Sequence, residues 1–154
     1  MDLHLEGKVV ILTGGFKGIG KGIALRLAKE GAIVAVINRD DGAAEQFDAE
    51  MKAITDNYRT YLMDLNDTDD IAPIVEDVVK TYGHIDGLVN NAALFDTRDS
   101  FIDLDDALWK ATFEINVFAP VGLSKAVIPA LSAHGGSIVH LGSEAARMPD
   151  PTMA

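Results

Sequence analysis

Thr13-Gly14-Gly15-Phe16-Lys17-Gly18-Ile19-Gly20 is the stretch that decides the fold of this chain. Before it runs Lys8 to Thr13 (KVVILT), β-branched and apolar on both faces. Such a run predicts a strand buried on both sides, as in a parallel sheet with helices over each face. After it, Gly18 to Glu30 carries Ile19, Ile23, Ala24, Leu27 and Ala28 at helical spacing, and Gly31 ends the segment. Glycines between a strand and a helix permit positive φ and let the backbone approach a pyrophosphate closely. The N–H groups and positive dipole end of the helix then face the phosphates. A glycine cluster alone also fits an ordinary tight turn; its place between strand and helix favours the phosphate-binding reading.

The same alternation continues along the chain. Ala32 to Ile37 reads as a second buried strand and Asp41 to Ile54 as a second helix. Tyr58 to Met63 is a third strand, polar enough for a sheet edge, followed by a helix from Thr68 to Tyr82 that Gly83 stops. Ile85 to Asn90 is a fourth strand, Asp106 to Ala133 a long helix closed by Gly135-Gly136, and Ser137 to Leu141 a fifth strand. Strand-helix alternation of this kind predicts an α/β fold, a doubly wound parallel sheet of Rossmann-like type. No repeat, low-complexity tract or linker divides the 154 residues, so residues 1–154 read as one nucleotide-binding domain.

Composition narrows the function classes. The net charge of -11 argues against nucleic-acid or anionic-membrane partners, which require basic patches. With no cysteine, zinc-thiolate sites, disulfides and thiol nucleophiles are excluded, and no metal is expected. His4, His84 and His134 lack metal-ligand spacing, and His140 is expected to pack against a helix from its strand. The start, Met1-Asp2-Leu3-His4-Leu5-Glu6, has no signal-peptide character, and apolar runs such as Ala32 to Ile37 are too short to span a bilayer. A cytoplasmic location is the expectation.

The glycine spacing is Gly-x-x-x-Gly-x-Gly rather than the commoner Gly-x-Gly-x-x-Gly. In this the chain resembles the short-chain dehydrogenases/reductases, and the likeness extends from about Glu6 to Ala146. The resemblance implies cofactor contacts from Thr13, Gly14, Phe16, Lys17, Gly18, Ile19 and Gly20. It implies that Asp64-Leu65, after the third strand, holds the adenine ring, although an aspartate there also reads as a start signal for the next helix. Asn90-Asn91-Ala92-Ala93 departs from the family's Asn-Asn-Ala-Gly at Ala93, and Asn91, Ala92 and Ala93 are expected beside the cofactor ribose.

Two residues are implied in catalysis. Asn116 stands four residues before Pro120, which has no N–H to give the Asn116 carbonyl. The resemblance assigns that carbonyl to a water of the proton relay; a solvated helix residue is the plainer alternative. Ser143, after the fifth strand, is implied to hydrogen-bond the substrate oxygen, where the alternative is a simple turn residue. At the end of the second strand stand neutral Asn38 and then Arg39, with Lys17 in the glycine turn. Two cations and no carboxylate favour NADP(H) over NAD(H), against the pull of Asp40 and Asp41 nearby.

The family's acid/base tyrosine would fall at position 156 and its lysine at position 160, beyond Ala154. Tyr58, Tyr61 and Tyr82 are poor substitutes, since none is followed four residues later by lysine. The chain therefore reads as the N-terminal part of an oxidoreductase acting on a secondary alcohol or ketone, its fold incomplete at the C-terminus. The alternative is a non-catalytic NADP(H)-binding sensor or decoy subunit. Met1 to Lys8 resembles sugar-oxidising members such as L-fucose dehydrogenases, and Asp96, Arg98 and Glu144 would suit a polyhydroxylated substrate or lie on loop surface. The fifth strand is expected as an exposed edge. The long helix carries apolar Phe113, Val117, Val121, Leu123, Val127 and Ile128, more than one sheet face covers. From these the isolated chain is expected to self-associate or be poorly stable, and the full protein to be a dimer or tetramer.

Overall fold

A computed structural model describes residues 3–39, 42–96 and 104–148. Five parallel strands lie in the order β3-β2-β1-β4-β5: β1 Val9–Thr13, β2 Ile33–Asn38, β3 Tyr58–Leu62, β4 Gly87–Asn90 and β5 Ser137–His140. Between them run α1 Gly18–Lys29, α2 Ala44–Lys52, α3 Ile71–Tyr82, α4 Asp106–Phe113 and α5 Ala119–His134, the last two joined by a π turn, Glu114–Phe118. The Rossmann-like α/β fold expected from the alternation is the fold observed.

The apolar runs explain the layers. Side chains alternate across a strand, so Val9 and Ile11 of β1 and Ala35 and Ile37 of β2 enter one core cluster with α3 and α5. Leu12, Val34 and Val36 enter the other, beneath α1 and α2, where Phe16 and Phe47 meet ring to ring at 5.0 Å. β3 is an edge strand, as its polarity predicts, with Leu62 exposed. On the α1–α2 side the cover ends at β1: Val89 of β4 is half-buried and Val139 of β5 is 49% exposed. The fifth strand is thus the exposed edge expected of it.

Several boundaries moved. α3 begins at Ile71 rather than Thr68, because Thr68–Asp70 form a turn closed by the Ile71 N–H to the Thr68 carbonyl at 3.2 Å. α2 is shorter at both ends than the periodicity suggests. His140 does not pack against a helix: it is exposed on the edge strand, its Nδ1 3.2 Å from Asn90 Nδ2. The continuous helix Asp106–His134 is long and apolar enough to cross a membrane by length and composition. Counting only unbroken apolar runs missed this. Its Ile115, Ala119, Leu123, Val127 and Leu131 nevertheless form a stripe buried against the sheet, as in a layered α/β fold.

Candidate functional site

Parallel strands all end at one edge of the sheet, and ligands of open α/β folds sit outside that edge. There a cavity of about 370 Å³ opens between the glycine turn and the ends of β2, β3 and β4. Of the residues expected at the cofactor, Gly14, Lys17, Ile19, Gly20, Asn38, Arg39, Asp64, Leu65, Asn91, Ala92 and Ala93 line it. Ile37, Met63, Leu94 and Ile115 line it too and were missed. Ile37 and Met63 were legible in principle, since each lies at or just past a strand's carboxyl end.

The turn's glycines are dictated by space as well as by angle. Gly14 and Gly18 have φ of 70° and 55°. A Cβ on Gly20 would stand 2.9 Å from the Gly14 carbonyl carbon, and closer still to its oxygen and to Asn91 Nδ2. The first turn of α1 therefore rests directly on the end of β1. That close approach leaves a bare backbone cradle facing the cavity, the geometry a pyrophosphate needs.

Three of the residues expected at the cofactor do not line the cavity. Thr13 is 2% exposed and does not line the cavity. Its Oγ1 accepts from the Asn91 N–H at 3.1 Å and the Ala92 N–H at 3.0 Å. Asn91 reciprocates, Nδ2 donating to the carbonyls of Thr13 and Gly14, each at 2.9 Å. Phe16 sends its ring into the core, and its N–H points to Asn38 Oδ1 at 3.4 Å. Gly18 supplies a turn and no wall. These residues build and hold the cradle.

Asn38 is 8% exposed, and its amide is turned inward: beyond the Phe16 N–H it donates to the Arg39 carbonyl at 2.6 Å. Among the described residues no carboxylate takes its place at the end of β2, while Lys17 and Arg39 stand exposed at the cavity wall. Asp40 and Asp41, and Arg98 among the polar candidates, lie outside the described residues. Asp64 lines the cavity, and its Oδ1 accepts from the Asn66 N–H at 2.9 Å; it does not start the next helix, which begins at Ile71. Ala93 sits at the wall without a positive φ, so the family's glycine is not conformationally required there.

Asn116 lies in the π turn, where the Ala119 N–H reaches five residues back to the Glu114 carbonyl. Its side chain is not merely solvated. Oδ1 accepts from the Leu94 N–H at 2.8 Å and Nδ2 donates to the Leu94 carbonyl at 2.9 Å, fixing the segment after β4. Ser143 stands past β5 at the same sheet edge, exposed, lining neither this cavity nor the smaller chamber near Asn116. Its Oγ accepts from the Ala145 N–H at 3.2 Å and starts the turn Glu144–Ala146, which is the turn reading of Ser143. Glu144 is exposed. Among the described residues no group of three His, Asp or Glu side chains is placed to hold a metal.

The three tyrosines stay away from this edge cavity. Burial and then the Asp48 carboxylate push the Tyr58 phenol far up, and burial with Asp77 does the same to Tyr61. The Tyr61 hydroxyl donates to Asp77 at 2.7 Å. Burial also raises Tyr82, partly offset by Arg59. Phenols held this firmly protonated are unsuited to proton exchange near neutrality.

Comparison with known proteins agrees with this geometry. The short chain dehydrogenase family profile matches residues 8–154. An uncharacterized oxidoreductase of Bacillus subtilis, YvrD, is 37% identical over an alignment of 154 positions that covers 99% of this chain and 57% of that protein. The chain thus spans a little over half the length of this curated relative. L-Sorbose reductase from Gluconobacter frateurii, solved with NADPH and L-sorbose, superimposes with a TM-score of 0.91 at 29% identity, covering 99% of this chain and 59% of that one. An NAD+-bound xylitol dehydrogenase gives 0.89 at 30% identity, covering 97% and 58%. With the profile spanning nearly all its residues, the chain belongs to the short-chain dehydrogenase family.

Proposed function

We propose that this chain forms the cofactor-binding part of an NADP(H)-dependent oxidoreductase that interconverts a secondary alcohol and a ketone, with a polyhydroxylated compound as the substrate class. The observation that carries the cofactor preference is the pair Lys17 and Arg39 at the cavity wall beside an Asn38 whose amide is already engaged. A ribose 2′-phosphate there gains charge-assisted hydrogen bonds, whereas a free 2′-hydroxyl finds no carboxylate among the described residues at the end of β2. Gly14 and Gly20 fit the pyrophosphate, Asp64 and Leu65 the adenine, and Asn91, Ala92 and Ala93 the ribose near the reacting end. The bound nicotinamide supplies hydride chemistry. Ser143 donates to the substrate oxygen and steadies charge developing there, and the Asn116 carbonyl anchors the proton relay. The acid/base tyrosine and its lysine belong at positions 156 and 160 of the reading frame.

L-Sorbose reductase and xylitol dehydrogenase among the similar structures support the substrate class, as does the position of Asp96 on the segment after β4. A cytoplasmic homo-oligomer completes the reading. Phe113, Val117, Val121 and Ile128 are each 43–49% exposed on one side of the long helix, a stripe suited to a second copy. The deciding experiment is twofold. The open reading frame should place tyrosine and lysine codons at 156 and 160, and its full product should turn over polyols with NADP⁺ in preference to NAD⁺. A frame without that pair, or a product indifferent to both cofactors, refutes the proposal.

A further inference from the structure

The outer side of β3 is an open edge of the sheet: among the described residues no strand pairs with it. Just past β3, the Met63 N–H donates to the Asn38 carbonyl of β2. By strand alternation Tyr61 and Arg59 also turn their backbone groups toward β2, while Thr60 and Leu62 turn theirs outward. Along this edge runs a groove of about 340 Å³, between Thr60 and Leu62 on one side and Pro73, Ile74 and Asp77 of α3 on the other, with Asp70 at the start of that helix.

The two faces of the edge differ. Arg59 and Tyr61 face α3, where the guanidinium and the phenol both meet Asp77, at 3.1 and 2.7 Å. Asp70 makes no side-chain hydrogen bond or ion pair among the described residues. Thr60 and Leu62 take the opposite face, that of Tyr58, whose ring meets Phe47 of α2, and Leu62 is 59% exposed there. Charge is as one-sided: from Thr60 to Val79 the chain carries Asp64, Asp67, Asp69, Asp70, Glu76 and Asp77 and no lysine or arginine.

A segment laid along this edge meets carboxylates on one face and exposed leucine on the other. An extended chain matches both when basic and apolar residues alternate along it. Asp70 and Asp77, seven residues apart, stand about 10 Å apart along the helix. Lysines four residues apart in a strand are about 13 Å apart, a difference their flexible stems absorb. We propose that the β3 edge is a docking site for an extended peptide of alternating basic and apolar residues, added to the sheet as a further strand. A second copy of the chain would instead bring the same carboxylates, and another net charge of -11, against them. The site is independent of the cofactor reading above.

The peptide acetyl-Lys-Val-Lys-Val-Lys-amide, titrated into the protein, should bind saturably and slow hydrogen exchange at the outward Thr60 and Leu62 amides about tenfold or more. The unpatterned Lys-Lys-Val-Val-Lys and the acidic Glu-Val-Glu-Val-Glu should leave both amides unchanged. Leu62→Pro removes an outward N–H that no ladder bond uses, which an edge strand tolerates; it should keep the native circular dichroism and lose the binding. Should that variant misfold, Asp70→Asn decides, with an expected two- to fivefold weakening, about the value of one exposed ion pair. No saturable binding, equal binding of either control peptide, or binding unchanged by the folded variants overturns the site. Concentration-dependent self-association that Leu62→Pro abolishes gives the edge to a second copy and overturns it as well.

Discussion

Two glycines of α1, two residues apart, should respond in opposite directions to the same added methyl. At Gly20 a Cβ would lie 2.9 Å from the Gly14 carbonyl carbon, about 0.6 Å inside the ~3.5 Å at which carbon atoms pack, and the Gly14 oxygen is nearer still. The Asn91 amide also obstructs, but the Gly14 atoms are backbone and cannot swing aside, so α1 must lift off the end of β1. Overpacking of this kind costs about 1–3 kcal/mol. At about 2–4 °C per kcal/mol for a chain of this size, Gly20→Ala should melt roughly 2–12 °C lower. At Gly22 nothing lies within 4 Å of the added Cβ, and the position is an exposed helix interior. There alanine should stabilise by about 0.5–1 kcal/mol and raise the melting temperature by roughly 1–4 °C. Lifting α1 also withdraws its N–H groups from the phosphates, so Gly20→Ala should weaken NADP⁺ binding about tenfold or more while Gly22→Ala leaves it unchanged. Thermal melting and calorimetric titration of both variants suffice. A Gly20→Ala protein that melts at or above the parent, or binds NADP⁺ as tightly, would refute the close-packed cradle.

Replacing Lys17 and Arg39 together with alanine should weaken NADP⁺ binding about 10–100-fold and leave NAD⁺ binding within about twofold, since charge-assisted bonds are worth about 1.5–3 kcal/mol; equal losses for both cofactors would contradict the 2′-phosphate assignment. Asn116→Ala removes both hydrogen bonds to Leu94 and should cost about 1–3 kcal/mol in denaturant unfolding, with faster amide exchange at Leu94 than at its neighbours. At the opposite edge of the sheet, burial pushes the Asp86 carboxyl up, but the Lys8 ammonium at 2.9 Å and the Val9 N–H at 2.8 Å outweigh it and hold it below the usual range. A carboxyl lowered on folding contributes stability that is complete above the unfolded value of about 3.9 and is lost as pH falls through the folded value. Asp86→Asn should therefore lower stability at pH 7 by about 1–3 kcal/mol and flatten the acid limb of the stability profile; an unchanged acid limb would show that the ion pair contributes nothing.

The layers of the fold were legible because burial on both faces leaves an unmistakable mark. VVILT and IVAVIN are apolar at every position but the last, and only a strand covered by helices on each side uses such a run. Strand edges were legible for the complementary reason, as in YRTYL of β3, which mixes polar and apolar residues. His140 was misread because alternation shows which face a residue takes but not whether anything covers that face. His140 pairs with Asn90 and takes the α3–α5 face, like Ile138 two residues before it, yet at the end of the edge strand it lies open. The membrane-length helix was overlooked for a related reason. Hydropathy averaged along Asp106–His134 is high, whereas the polar residues that interrupt each short run hide it from a search for unbroken apolar stretches.

The site divides differently. The glycine motif predicts where a phosphate goes, but it encodes a backbone path, and a path needs residues that hold it as well as residues that border it. Thr13 and Phe16 belong to the first group: the Thr13 hydroxyl holds the Asn91 and Ala92 N–H groups, and the Phe16 N–H points to Asn38. Leu94 and Ile115 could not be read from any motif. A regular α-helix advances 100° per residue, and a helical wheel through Asp106 to Ala133 fixes which residues face the sheet. One π turn inserts an extra residue and re-phases everything after it. That turn, over Glu114–Phe118, lets Ile115 border the cofactor cavity while Asn116, the next residue, reaches Leu94. Pro120, which removes the N–H that would close a regular turn onto Asn116, is the one sequence signal that the helix deviates there. It marks the place of the irregularity, and only the three-dimensional packing shows which neighbours each residue then meets.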